Sequence, residues 1–169
     1  MVSKTINIAM RGLQFLWALL IMALVGDMIA TSFAGDHSMV NFDMFVAVFA
    51  MLSLFYLIAA TIMEKFFIPI AVITLDLLNT VLFLIAGIAT AAYLGVHSCS
   101  NDEYTERNVI TNGSVNRGKR CREAQAVTAF LWFGFAAFAA SAVLSFTQSR
   151  GSVNMRSGGI RRGPTMSQV

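Results

Sequence analysis

The sequence predicts an all-α protein, a bundle of four transmembrane helices in up-down antiparallel order with both termini in the cytoplasm. Three observations carry this reading. Only 12% of the 169 residues are charged and 57% are hydrophobic, whereas a soluble domain carries about 25% charged residues. Four apolar runs reach the length of about 20 residues that a helix needs to cross the hydrocarbon core. None of these runs shows the period-two alternation of a barrel strand, and only helices and closed barrels satisfy their backbone polar groups in lipid.

The first run covers about 6–33, with Arg11 and Asp27 near its two ends. Lys4 and Arg11 precede its most apolar part, and Ala30 to Ser32 loosely matches a signal-peptide cleavage site. Retention is expected, because cleavage would remove one span from an even set. The second run, about 42–63, has no charge after Asp43. The third, about 66–96, holds one charge, Asp76; the fourth, about 124–146, holds none. Residues 1–147 therefore form the membrane domain. The connection around Glu64 and Lys65 is short enough for a tight hairpin, whereas 97–123 is a long polar outer loop. Residues 148–169 are rich in Gly, Ser and Arg and read as a disordered basic cytoplasmic tail.

Orientation follows less from basic residues than from cysteines. Lys4, Arg11, Lys65, Arg150, Arg156, Arg161 and Arg162 fall on one side; Arg107, Arg117, Lys119, Arg120 and Arg122 fall on the other. That is a weak bias toward a cytoplasmic first side. Both cysteines of the chain, Cys99 and Cys121, lie in the long loop, each a few residues from a span end. A disulfide between them fits an oxidising compartment and would stabilise by roughly 3 kcal/mol in the chain-entropy model. Asn112 opens an Asn-Gly-Ser glycosylation sequon in the same loop.

Ionisable residues at depth cost about 3 kcal/mol on insertion scales, so they need a partner or a task. Arg11 and Asp76 lie at similar depth if the first and third helices run parallel, and a salt bridge between them is expected. Gln14 and Asn79 each follow by three residues on the same face, so the two faces could meet as a polar seam. Such a clip would set which helices are neighbours; the competing reading is a proton or ion relay. Asp27 and Asp43 read as interfacial. Gly87, Ala91 and Gly95 recur at four-residue spacing, and Gly134 marks a small-residue face on the fourth helix. Such faces serve close helix packing or self-association. There is no HExxH, no GxSxG and no His or carboxylate cluster at metal spacing, so neither enzymatic activity nor a cofactor or metal is expected. Nothing points to nucleic acid. Arg150, Arg156, Arg161 and Arg162 suit anionic lipid headgroups or a cytoplasmic coat, and neighbouring serines could weaken that attraction when phosphorylated.

Five stretches carry a family resemblance: Arg11 to Gln14, Thr74 to Asn79, His97 to Cys99, Arg120 to Ala126 and Pro164 to Val169. Together they resemble the fungal MARVEL-like tetraspan proteins of the non-classical export family, over nearly the whole chain. The resemblance implies a MARVEL-like four-helix bundle in furrow-like plasma-membrane compartments above the eisosome coat. It implies a part in forming those compartments, in sphingolipid sensing and in export of leaderless proteins. The implied partners are membrane lipids (sphingolipid, sterol and anionic headgroups), further copies of the chain and eisosome coat proteins. No catalytic residue comes with it; its polar pair and cysteine pair map onto Arg11, Asp76, Cys99 and Cys121. The expected function is organisation of a plasma-membrane domain. The alternative is a small-solute or ion transporter or channel using the Arg11/Asp76 seam.

Overall fold

The structure is a computed structural model. It describes residues 4–33 and 35–157; of residue 64 and residues 148–157 it describes the backbone path alone. Four long helices, α1 (Lys4–Ala30), α2 (Ser38–Ile62), α3 (Pro69–Leu94) and α5 (Arg117–Ser157), make the bundle, and a short α4 (Asp102–Arg107) lies in the long loop. All four long helices carry a stretch apolar enough and long enough to cross a membrane, that of α5 within Arg117–Thr147. Among the described residues there is no strand.

The helices stand at the corners of a square. α1 packs on α2 and α5, α3 packs on α2 and α5, and α1 and α3 face each other only across the diagonal. Neighbours run antiparallel. Lys4 at the start of α1 donates to the carbonyl of Ile62 at the end of α2 (3.1 Å), while Lys119 near the start of α5 reaches Asp27 near the end of α1 (2.5 Å). The start of α1 and the end of the α5 span thus share one end of the bundle.

The inward stripe of α1 reads Arg11, Gln14, Ala18, Ile21, Val25 and Met28. Its alternating steps of three and four are the knobs-into-holes spacing of a nearly aligned bundle. On α5, Ala124, Val127, Leu131, Phe138 and Ser141 keep the same rhythm and are buried. The opposite faces are just as apolar: Leu52, Phe55, Leu77, Ile88 and Phe133 are all more than half exposed. Lipid solvates them.

Several boundaries differ from the sequence reading, each for a local reason. α3 starts at Pro69 rather than 66 because proline fits the first helical turn, and a 3₁₀ turn over Glu64–Phe66 fills the gap. α3 ends at Leu94 because Gly95 adopts φ 67°, a left-handed conformation that suits glycine. α5 starts at Arg117, seven residues before the expected apolar start, because the Asn116 side chain accepts from the Lys119 backbone N–H (3.0 Å) and caps the helix. The long loop is correspondingly shorter. At its other end, α5 continues to Ser157. Residues 148–157 were expected to be disordered, yet no proline interrupts them. Arg150 and Arg156 lie on this helical extension; Arg161 and Arg162 lie outside the described residues.

The small residues are consumed within the bundle. A Cβ added at Gly134 would sit 2.3 Å from a ring carbon of Phe83, and one at Gly87 would touch Trp132 and Leu131 at 3.5–3.7 Å. α3 and α5 approach through these two notches, with Phe83 and Phe138 ring to ring at 5.1 Å. Gly87 and Gly134 are therefore packing positions and not an outward face. Ala91 is half-buried on the same helix, and Gly95 is a helix stop. Gly134→Ala should cost about 1–3 kcal/mol by overpacking, read as a lower thermal unfolding midpoint in detergent. Adding Phe83→Leu should restore part of it.

Candidate functional site

Most of the polar groups buried between the helices form a belt near the end where α1 begins. Arg11 lies seven residues into α1 and Asp76 seven residues into α3, so both side chains sit about 10 Å along their helices. The Arg11 guanidinium grips the Asp76 carboxylate with both terminal nitrogens: Nη2 to Oδ2 at 2.8 Å, and Nη1 to Oδ1 in a tight contact. The two helices do not pack on each other, so this pair spans the centre of the bundle. It is a strut across the diagonal. It does not set which helices are neighbours, as the sequence reading had it.

Gln14 extends the belt to α5. Its Oε1 accepts from Arg11 (3.0 Å), and its Nε2 donates to the Ala137 carbonyl (3.1 Å) and the Ser141 hydroxyl (2.8 Å). Ser145, one turn on, donates to Asp76 Oδ2 at 3.4 Å. Asn79 was expected to complete a seam with Gln14. Instead it turns to α2, donating to the Ser53 hydroxyl and to the Leu75 carbonyl, both at 2.8 Å. The reason lies in the square: the face of α3 that carries Asn79 meets α2, while Gln14 on α1 has α5 as its neighbour. The belt thus joins all four helices. Ser53, Ser141 and Ser145 were missed in the sequence because a lone serine in a transmembrane helix usually bonds its own backbone. Ser141 and Ser145, spaced by four, were the available clue.

A second polar contact lies toward the other end. Asp43 is buried, and the Thr90 hydroxyl sits 2.9 and 3.0 Å from its two oxygens, tying α2 to α3. The interfacial placement expected for Asp43 is corrected: the side chain points into the bundle. Between belt and Asp43 the interior is apolar and closely packed. Ala18, Ile21, Ala47, Ala50, Phe83 and Leu131 all have zero exposure.

The loop between α1 and α2 and the long loop between α3 and α5 close that end of the bundle as a cap. Cys99 and Cys121 are disulfide-bonded with their Cα atoms 5.6 Å apart, stapling the segment after α3 to the first turns of α5. Arg120, counted in the sequence as a loop charge, is buried. It donates to the Ile110 carbonyl (2.7 Å), to the Met28 carbonyl at the end of α1 (2.5 Å) and to Asp36 (2.6 Å). Tyr104 donates to the Leu94 carbonyl at the end of α3, and burial raises its phenol above the ordinary range, which preserves the donor. His97 stacks on the Tyr104 ring at 4.5 Å. Asn112 lies in the cap with its side chain exposed.

A tetraspan bundle with one capped end has a counterpart among known families. Residues 3–144 match the family model of the MARVEL membrane-associating domain. The chain belongs to the MARVEL family. Within it, the chain is 34% identical to non-classical export protein 2 of Saccharomyces cerevisiae, over 95% of both chains. It is 36% identical to non-classical export protein 102 of Candida albicans, over 96% of this chain and 97% of that protein. A non-classical export protein 2 homolog of Schizosaccharomyces pombe is 35% identical over 65% of this chain. No solved structure matches. The domain match ends just before Ser145, so the Arg11–Asp76 strut, the cap and the belt apart from Ser145 lie within the matched MARVEL domain, and the α5 extension follows it.

Two predictions come from this geometry. Arg11→Ala or Asp76→Ala should each cost about 3–5 kcal/mol, because a charge is left unpaired in the interior. An Arg11→Asp/Asp76→Arg swap should recover part of the folded yield measured by size-exclusion chromatography. The disulfide should show as faster migration on a non-reducing gel, lost in Cys121→Ser.

Proposed function

We propose that this chain is a non-enzymatic organiser of a plasma-membrane domain of the eisosome-furrow type, with both termini cytoplasmic. The observation that carries the reading is the contrast between inside and outside. Each buried polar side chain of the belt makes at least one hydrogen bond within the bundle, with Asn79 Oδ1 the one belt atom left without a partner among the described residues, and the layer above it is apolar. A transporter needs a polar path through that layer. What the bundle offers its surroundings is its shape, its length and its charged ends. Export activity of the kind named in its relatives would then come through the membrane domain and not through a conduit in this chain.

Length supports the compartment. From Lys4 to Asp27, α1 rises about 35 Å at 1.5 Å per residue. That exceeds the ~27 Å core of the endoplasmic reticulum and is nearer the ~32–33 Å of a sterol- and sphingolipid-rich plasma membrane. Thick membrane is the cheaper place for spans of this length. Sphingolipid and sterol are the lipids that supply that thickness, and sensing of sphingolipid follows from partition between thick and thin regions.

Charge supports the orientation. The positive groups of the outer cap are largely matched by acids. Arg107 pairs with Glu103, Arg117 with Glu106, Lys119 with Asp27 and Glu123, and Arg120 with Asp36. Four of the five basic residues of that side, awkward in the bare sequence, are thereby held in ion pairs within the cap. In this orientation the arginines at 150, 156, 161 and 162 are proposed to contribute to binding anionic headgroups or coat proteins, each worth about 1 kcal/mol near the surface. Self-association is part of the proposal, by sharing of the preferred lipid and not through Gly87 and Gly134.

The test is partition in phase-separated giant vesicles. The purified protein should enrich in the thicker, sterol- and sphingolipid-rich phase, and removal of residues 148–169 should lower its binding to anionic lipid without changing that preference. Equal partition between phases, or preference for the thin phase, overturns the proposal.

A further inference from the structure

We infer that Asn112 carries an N-linked oligosaccharide, attached at the apex of the outer cap. The cap contains four asparagines, at positions 101, 108, 112 and 116, and the structure separates them by task. Asn101 accepts from the Tyr104 backbone N–H and caps α4. Asn108 donates to the Tyr93 carbonyl at 2.8 Å and accepts from the Ile110 N–H at 2.9 Å. Asn116 caps α5 through Lys119. The Asn112 side chain makes no hydrogen bond among the described residues, and it is exposed.

Its neighbours do the opposite. Thr111 and Ser114 are buried, and the Thr111 hydroxyl donates to the Thr105 carbonyl at 2.6 Å. Gly113 is buried against the Arg120 guanidinium, and its carbonyl accepts from the Phe33 N–H at 3.1 Å. Asn112 itself is anchored only through its backbone N–H, to the Asn108 carbonyl at 3.0 Å. The turn is held rigid on both sides while one carboxamide projects outward. A bulky substituent there meets no packed surface, whereas one at any of the other three positions would break a cap or a loop bond.

Sequence and compartment agree with this geometry. Gly113 and Ser114 complete the Asn-x-Ser acceptor triplet. The Cys99–Cys121 disulfide closes the same loop around it, which fits an oxidising lumen. The donor would be an oligosaccharide carried on a polyprenyl pyrophosphate. The Asn112 carboxamide nitrogen forms a bond to the anomeric carbon and loses a proton; the bond from that carbon to the pyrophosphate oxygen breaks, and polyprenyl pyrophosphate leaves. Neither oxidant nor reductant is needed. The glycan would also shield Val115, three residues along, which is 91% exposed.

The inference rests on the orientation proposed above, and the experiment separates the two. The full chain, expressed in a eukaryotic cell, is digested with an amidase that removes N-glycans and run beside Asn112→Gln, Ser114→Ala and Ser114→Thr. The side of the cap is measured independently by protease access to intact cells at an epitope placed beside Val109. A downward shift of one oligosaccharide in wild type and Ser114→Thr, absent in Asn112→Gln and Ser114→Ala, is the expected result. No shift with the epitope accessible overturns the glycan and leaves the orientation standing. No shift with the epitope protected overturns both.

Discussion

The diagonal pair of Arg11 and Asp76 is the constraint on which the rest of the bundle depends. Lipid tails are as apolar as a leucine-rich helix face, so apolar contact gives little preference for one helix arrangement over another. A buried charge pair gives a strong one. Every rotation of α1 or α3 that moves one partner off the axis leaves an ion in hydrocarbon. A bidentate grip fixes depth as well as rotation. With α1 and α3 so placed, Gln14 has α5 within reach and Asn79 has α2, and the remaining two helices take up the other corners.

This division explains why the two kinds of contact are distributed as they are. Close backbone packing is concentrated where α3 meets α5, through Gly87 and Gly134, and the aromatic contacts of Trp17 with Phe130 and Phe133 join α1 to α5. The seam between α2 and α3 is bonded through side chains instead, at Ser53–Asn79 and Asp43–Thr90. One neighbour of α3 is held by shape and the other by hydrogen bonds. A membrane protein can use either; this one assigns them to different corners of one square.

The spans were legible in the sequence because lipid demands length and apolarity, and both can be counted. The parallel depth of Arg11 and Asp76 was legible for the same reason, as residue number converts to height along a helix. Which way each helix faces was harder. A helix that is hydrophobic all round has no apolar stripe to read, so only its few polar and small residues mark the inside. These marked Arg11 and Gln14 correctly as one inward face. They could not tell that Asn79 serves a different neighbour, because that depends on the corner each helix occupies. Asp43 was misplaced because nearness to a span end suggested water, while its step of three to Val46 and four to Ala47 belonged to the buried stripe of α2. The cap was least legible: Arg120 looks like any loop arginine until the end of α1 and the first loop arrive beside it.

That arginine also carries a consequence in time. The groups it holds come from Met28, Asp36 and Ile110, so two segments made early, the end of α1 and the first loop, wait for a residue made late. While α1 and α2 are inserted, the Met28 carbonyl and Asp36 have no such donor. They acquire one only when α5 emerges, and Cys121, the next residue, arrives with it. A chain stopping short of the last helix would leave the Met28 carbonyl and Asp36 without Arg120, and Cys99 without Cys121.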